Sequence, residues 1–439
     1  MKNRVGILKR SIGVLTYAVF LLIVLVSCKK EEKGLIDELV SPTTGTRMEF
    51  TLDSVFLYAK QVYLWQEGLP SYADFDPRAR YGTINPELTA YKTELYDISQ
   101  MNSNPQTGNS YELPVYEGSP KYSYLEQETT KSSTVNKASI STISSETILK
   151  NDIITIGSKN VGYIALGSFP LLANIKSELD NIFSGYVSAE ISDIIVDLRS
   201  NGGGYVETAE YMANLIAPSR LTGHVMYSEQ FNSLMQSGKA TILKNQLYRD
   251  ANGNTVMHNG RLATMADVDF SKNANTVFFN KVGQLESIQH VYFIVSGNTA
   301  SASELLISSL KPYFDVKLIG EKTYGKPIGF FGIHIDSYTV YLSSFILQNA
   351  AGWHDYFEGM QPNVTLTFSA DISLGNLDEP GLYAALTLIK SSSTLSSFTN
   401  LKSFTDTRRE YLNNQNQPII QKPHSENYVP IYKQQFKLK

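Results

Sequence analysis

The sequence predicts an α/β fold: a buried, mostly parallel mixed sheet flanked by helices, with a small helical domain ahead of it. Two stretches carry the expectation. In the first, the strand-like VGYIALGSF from Val161 leads into Leu171, Leu172, Ile175, Leu179, Ile182 and Phe183 at helical spacing. The apolar run IIVDL (194–198), a glycine turn and another helix closed by Pro218 follow. Strand, helix, strand, turn and helix in that order imply right-handed βαβ crossovers. In the second, VYFIV (291–295) runs into a corner of small polar residues, Ser296 to Thr299. A helix from Ala300 then ends before Pro312, and VKLIG (316–320) delivers a loop ending in Gly325-Lys326.

The chain opens with Lys2, Arg4, Lys9 and Arg10 and an apolar run from about Ile12 to Val26, which ends in Leu25-Val26-Ser27-Cys28. The run is short and closes on a small residue before cysteine, the pattern of a secretory signal peptide (1–27) rather than of a membrane-spanning helix. The tetrad resembles the lipobox of bacterial lipoproteins, in which Cys28 becomes the lipidated first residue. Lys29-Lys30-Glu31-Glu32 resembles the signal that sends some Bacteroidetes lipoproteins to the cell surface. The resemblance implies a lipoprotein of the cell envelope, on the outer membrane and facing either the periplasm or the exterior. Residues 28–46 read as a polar tether. Residues 47–101 read as a helical N-terminal domain, with Phe50, Val55, Leu57, Val62 and Leu64 marking apolar faces. Residues 102–150, rich in Ser, Thr and Asn, read as a linker or irregular loop. The α/β unit is expected over 151–390, with a polar, irregular insertion at 219–287 and alternating strands around a turn at Asp336-Ser337. Residues 391–439 read as a polar tail.

Bulk properties remove several functions. The formal net charge of −4 over 439 residues, without a basic stripe, gives no footing for nucleic acid. One cysteine and six scattered histidines leave no metal-ligand spacing and no disulfide framework. Asp250-Ala251-Asn252-Gly253-Asn254 suggests a calcium loop, but Thr255 and Arg261 stand where that loop needs Gly and Glu. Gly320 to Lys326 matches a phosphate-binding loop up to its last position, where Pro327 removes the magnesium-ligating hydroxyl and a strand follows instead of a helix. No metal, nucleotide or other cofactor is expected.

Three features suit acyl chemistry. Glycines 202–204 end a buried strand and open a helix, so their N–H groups can face a ligand and form half of an oxyanion hole. At the 296–304 corner, Thr299, Ser301 and Ser303 are all candidate helix caps. Glu304, three residues after Ser301, completes a capping-box pattern, so residue type alone does not choose a nucleophile. Lys326, flanked by Tyr324, Ile328, Phe330 and Phe331, is placed for desolvation, which lowers a lysine from ~10.4 toward the ~7–8 of a general base.

DLRSNGGG (197–204), TASASE (299–304) and GEKTYGK (320–326), with Lys326 lying 25 residues after Ser301, together resemble the C-terminal processing (tail-specific) peptidases. The similarity runs from about Val161 to Ile389 and is nearest to Bacteroidetes lipoprotein members. It implies a core related to the ClpP and crotonase folds and a serine-type peptidase working through a Ser–Lys dyad on protein or peptide substrates. By this resemblance Ser301 is the nucleophile and Lys326 the base. The oxyanion donors are the N–H groups of Ala302 and of the glycine turn, Gly204 with Gly203 supporting, while Glu304 and Thr323 support the site. The chain departs from the pattern in three places. Phe330 stands where many members carry Gln to orient the lysine. Asn363 replaces an Asp. The stretch 102–160 is too short for the peptide-recognising PDZ domain. A catalytically inactive peptide- or glycan-binding lipoprotein on the same core is the rival expectation. A crotonase-type acyl-CoA enzyme shares the fold, but an exported chain does not meet that cofactor.

Overall fold

The computed structural model describes residues 41–114, 116–128, 147–250, 253–368, 373–392, 431–432 and 436–439. The expected signal peptide, Cys28, the tether before residue 41, the run 129–146 and most of the C-terminal tail lie outside the described residues.

Four helices open the described chain: α1 (Arg47–Val62), α2 (Tyr72–Phe75), α3 (Pro77–Tyr81) and α4 (Glu87–Gln100). A capping box starts α1. Glu49 N–H donates to Thr46 Oγ1 at 3.2 Å, and Thr46 N–H donates to Glu49 Oε2 at 2.6 Å. Leu52, Val55, Phe56, Ala59 and Val62 then form its buried stripe, whereas Phe50, expected on the apolar face, is exposed. The stretch expected as a linker is packed instead. Glu112, Tyr122 and Ser123 are buried, and β1 (Tyr124–Gln127) joins a sheet. Glu112 and Ser123 find hydrogen-bond partners inside the protein, so a polar composition does not keep the stretch in solvent.

The core continues with β2 (Ile148–Ile156), β3 (Lys159–Leu166), α5 (Leu172–Ser188), β4 (Asp193–Asp197), α6 (Val206–Ile216), β5 (Val225–Phe231) and α7 (Ser233–Gln236). Next come β6 (Met257–His258), β7 (Arg261–Leu262), β8 (Thr276–Phe278), β9 (His290–Val295), α8 (Ala302–Leu310), β10 (Asp315–Gly320) and β11 (Ile328–Phe330). The last elements are β12 (Ile333–Ile335), β13 (Tyr338–Tyr341), β14 (Phe345–Asn349), β15 (Val364–Thr365), α9 (Pro380–Ser392) and β16 (Ile431–Tyr432).

The main sheet has the order β15-β10-β9-β4-β3-β2 and is parallel except for the β2–β3 pair. Alternation sends successive residues to opposite faces. Ile194, Val196, Val291, Phe293 and Val295 pack with α5, α6 and α8, while Ile195, Tyr292 and Ile294 meet Leu382, Ala385 and Ile389 of α9. Both faces are therefore covered, which accounts for the continuous apolar runs of β4 and β9. A second sheet, β16-β11-β14-β5-β8, and a three-stranded sheet, β1-β13-β12, complete the fold. The 219–287 stretch supplies β5 and β8 to the second sheet and is not an excursion from the core. Phe231 of β5 packs on Phe345 of β14, with ring centroids 5.0 Å apart.

β10, β9 and β4 are adjacent and parallel, so the loops leaving their C-terminal ends meet at one edge. Those loops carry the glycine turn, Ser301 and Lys326. Crevices at the carboxyl ends of parallel strands are where α/β sheets bind ligands.

Candidate active site

The serine corner is stitched to the end of β4. Thr299 Oγ1 donates to Leu198 O at 2.8 Å, Ser296 Oγ donates to Arg199 O at 2.5 Å, and Ser303 Oγ donates to Asn201 O at 3.1 Å. Two of the hydroxyls that could have been nucleophiles are thus held by carbonyls. Ser301 differs from them in its backbone, with φ 60° and ψ −119°. Such a conformation costs a non-glycine residue on the order of 1–3 kcal/mol and persists only where the surroundings impose it. Ser301 itself is buried.

Glu304 imposes much of that geometry. This buried carboxylate accepts at Oε2 from Ser301 N–H (3.2 Å) and Lys326 N–H (2.8 Å), and at Oε1 from the Thr323 hydroxyl (2.6 Å) and Gly325 N–H (2.7 Å). One oxygen therefore joins the backbones of Ser301 and Lys326. Burial pushes the Glu304 carboxyl upward, and its donors pull it back down. Thr323 Oγ1 also accepts from Met360 N–H at 2.7 Å, which fixes the loop to the chain before β15. Gly325 has φ 86°, and a Cβ there would lie 2.3 Å from Gly359 N, so only glycine lets the loop close on residues 356–359.

Lys326 is buried, with Nζ 5.2 Å from the centroid of the Phe330 ring. Burial lowers its pKa to about 8; the charges of Glu112 and Glu304 oppose the shift, and that of Lys121 adds to it. The residues just before β1 hold the same loop. Lys121 Nζ donates to Tyr324 O (3.1 Å) and Phe357 O (2.5 Å), and the Tyr122 hydroxyl donates to Gly325 O (2.7 Å).

The glycine turn lies against the serine. A Cβ on Gly203 would sit 2.8 Å from Ser301 Cβ and 3.2 Å from Ala302 N, and one on Gly204 would sit 2.0 Å from Phe169 O. Both glycines have positive φ, 107° and 141°. Gly203 N–H is occupied, donating to Asn201 Oδ1 at 2.9 Å. Among the described residues, the N–H groups of Gly204 and Ala302 meet no acceptor. Two undirected donors beside a strained serine are what a developing oxyanion needs.

Residues 160–363 match the sequence profile of peptidase family S41. That stretch resembles peptidase family S41. The match makes the protein a serine-type peptidase, a hydrolase. No curated protein sequence matches the chain. Among solved structures, an S41-class protein from Bacteroides fragilis is similar at a TM-score of 0.52 and 16% identity, covering 77% of this chain and 97% of its own; it shares the fold. A lipoprotein from Streptococcus agalactiae aligns at a TM-score of 0.44 and 14% identity, covering 80% of this chain and 99% of its own. The photosystem II D1 C-terminal processing protease aligns at 0.43 and 13%, covering 74% and 93%.

The fold brings Ser301, Ala302, Glu304, Thr323, Lys326 and the 203–204 turn of the S41 core together; Cys28 lies outside the described residues. Phe330 lends its ring face to the lysine. Asn363 pairs β10 with the start of β15, accepting from Leu318 N–H at 2.8 Å and donating to Leu318 O at 2.7 Å. Sequence reasoning missed Glu112, Lys121 and Tyr122. The available signal was Glu112 and Lys121 set among Tyr111, Tyr116, Tyr122 and Tyr124 in a stretch otherwise read as a linker or irregular loop.

Proposed function

We propose that this chain is an endopeptidase that cuts exported proteins or peptides through a Ser301–Lys326 dyad and an acyl-enzyme. The observation that carries the reading is the Glu304 carboxylate, which takes the N–H of both residues on one oxygen. Neutral Lys326 removes the Ser301 hydroxyl proton as Oγ bonds to the scissile carbonyl carbon. The oxyanion rests on the N–H groups of Ala302 and Gly204, while Gly203, tied to Asn201, holds the turn against the serine. The intermediate collapses, the C–N bond breaks, and Lys326 passes its proton to the leaving amine. Water then adds to the ester by the same steps, and Ser301 recovers its proton. Ser301 and Lys326 are both buried, so the chain around them must part before a substrate enters.

Ser301→Ala is expected to abolish cleavage of a fluorescently labelled unfolded protein while the fold is kept. Cleavage at the wild-type rate would overturn the dyad. A wild-type chain that binds the substrate without cutting it would favour the peptide-binding reading instead. The lipobox-like tetrad supports anchoring of the mature chain to the outer membrane through Cys28. Cys28→Ala is expected to move the protein from the membrane fraction to the soluble fraction, and retention with the membranes would point to an uncleaved anchor.

A further inference from the structure

Glu112 lies outside the S41 core, in the stretch between α4 and β1, and is fully buried. Its Oε1 accepts from the hydroxyls of Tyr63 (3.1 Å), Ser123 (2.7 Å) and Ser343 (2.8 Å). Its Oε2 accepts from the N–H groups of Tyr122 (3.1 Å) and Ser123 (2.7 Å). Ser123 Oγ accepts in turn from Ser343 N–H at 3.0 Å, which gives that hydroxyl its direction. The two backbone N–H groups can only donate and the three hydroxyls can donate as well, so the pocket favours a negative charge on this carboxyl. Burial raises its pKa above the ordinary carboxylate value, and the hydrogen bonds from Ser123, Ser343 and the Tyr122 N–H oppose that rise.

The same network surrounds the base. Tyr122, whose N–H binds Glu112, reaches the carbonyl of Gly325 with its hydroxyl. Ser343 leads into β14, the antiparallel partner of β11, and β11 begins two residues after Lys326. Tyr124, next to Ser123, packs edge-on against Phe330, the ring under Lys326 Nζ. The charges that act on Lys326 are those of Glu112, Glu304 and Lys121. Phe330, the ring against Lys326 Nζ, offers no oxygen.

We propose that Glu112 is a positioning residue for Lys326: a buried carboxylate, supplied by the N-terminal segment, whose charge favours the ammonium formed when the lysine takes the serine proton. This rests on the reading of Lys326 as the base. The proton moves from Ser301 Oγ to Lys326 Nζ and on to the leaving amine, and Glu112 takes up none of it. Its contribution is a fixed negative charge in a dry site where a positive one develops.

The test is Glu112→Gln in the full chain, with kcat and KM measured across pH on a fluorogenic peptide cut by the wild type. Glu112 raises the lysine's pKa, so its loss should move the acid limb of the kcat profile to lower pH. At the same time kcat at the plateau should fall at least tenfold with KM little changed. Glu112→Asp, which keeps the charge but draws it back by one methylene, should recover part of kcat and leave the limb displaced, between those of the wild type and the Gln variant. A limb that stays at the wild-type pH, with only the amplitude reduced, would assign Glu112 a structural role and overturn the proposal. Should the Gln variant fail to fold, the Asp variant decides alone: a displaced limb supports the proposal and a coincident limb overturns it. Lys326→Met separates the underlying reading. Activity surviving in that variant removes the base itself, whereas activity lost there with an unmoved Glu112→Gln limb removes only the role of Glu112.

Discussion

In the proposed dyad, Ser301 and Lys326 are two ordinary residue types that acquire chemistry from their surroundings. The serine is held at φ 60° by the hydrogen bond from its N–H to Glu304 and by the glycine packed on its Cβ. The lysine is pushed by burial to about 8, so only about a tenth of it is neutral at pH 7. The sign follows directly. Below pH 8 the amine is protonated and cannot accept the serine proton, and above pH 8 it can. We therefore expect kcat/KM to rise about tenfold between pH 7 and pH 9 and then level off. A profile flat from pH 5 to pH 9 would mean that no group with the lysine's titration controls the reaction.

At the scale of elements, α4 carries a group that neither catalysis nor packing uses. Glu94 is fully buried, and neither carboxylate oxygen has a hydrogen-bond partner among the described residues. Burial, with Asp53 and Asp97 nearby, raises its pKa well above the ordinary carboxylate value. A group raised in the folded state favours folding at low pH and loses that contribution as pH climbs above its unfolded value. Glu94→Met keeps the helix propensity and removes the buried carboxyl. It is expected to stabilise the protein by about 1–3 kcal/mol at pH 7. The gain should shrink near pH 4, where the carboxyl is protonated in both states; thermal melts at the two pH values check this. Elements of this kind also mark the limit of what the sequence discloses. β4, β9 and α8 were legible because their apolar periods are long and undisturbed, and Ser301 and Lys326 because their spacing fell in recognisable blocks. The stretch from 102 to 128 was not legible, because its order comes from pairing polar groups with distant partners such as Ser343 and Phe357. Local composition carries no record of partners more than two hundred residues away. The rival uses of Thr299 and Ser303 likewise became distinguishable only when their acceptors, carbonyls at the end of β4, came into view.

Across the whole molecule, the helical N-terminal unit and the peptidase core form one body. Asn232 Nδ2 donates to Gln61 O at 3.0 Å and to Tyr63 O at 2.9 Å, so the loop after β5 closes the end of α1. Leu64 N–H donates to Ser343 O at 2.8 Å, Ile242 N–H to Gln61 Oε1 at 3.0 Å, and Gln246 Nε2 to the Tyr58 hydroxyl at 2.7 Å. β1 pairs along β13, and a single apolar cluster runs from Leu52 and Phe56 in α1 to Leu305 in α8. Separating the two parts would expose that cluster and strand buried backbone groups, each costing about 1–3 kcal/mol. The full chain should therefore unfold in one calorimetric transition, with calorimetric and van't Hoff enthalpies equal. Peptidase activity should disappear along the same curve. Two resolved transitions, with activity lost at the first, would mean that the N-terminal unit melts alone and takes Glu112, Lys121 and Tyr122 away from an otherwise folded core.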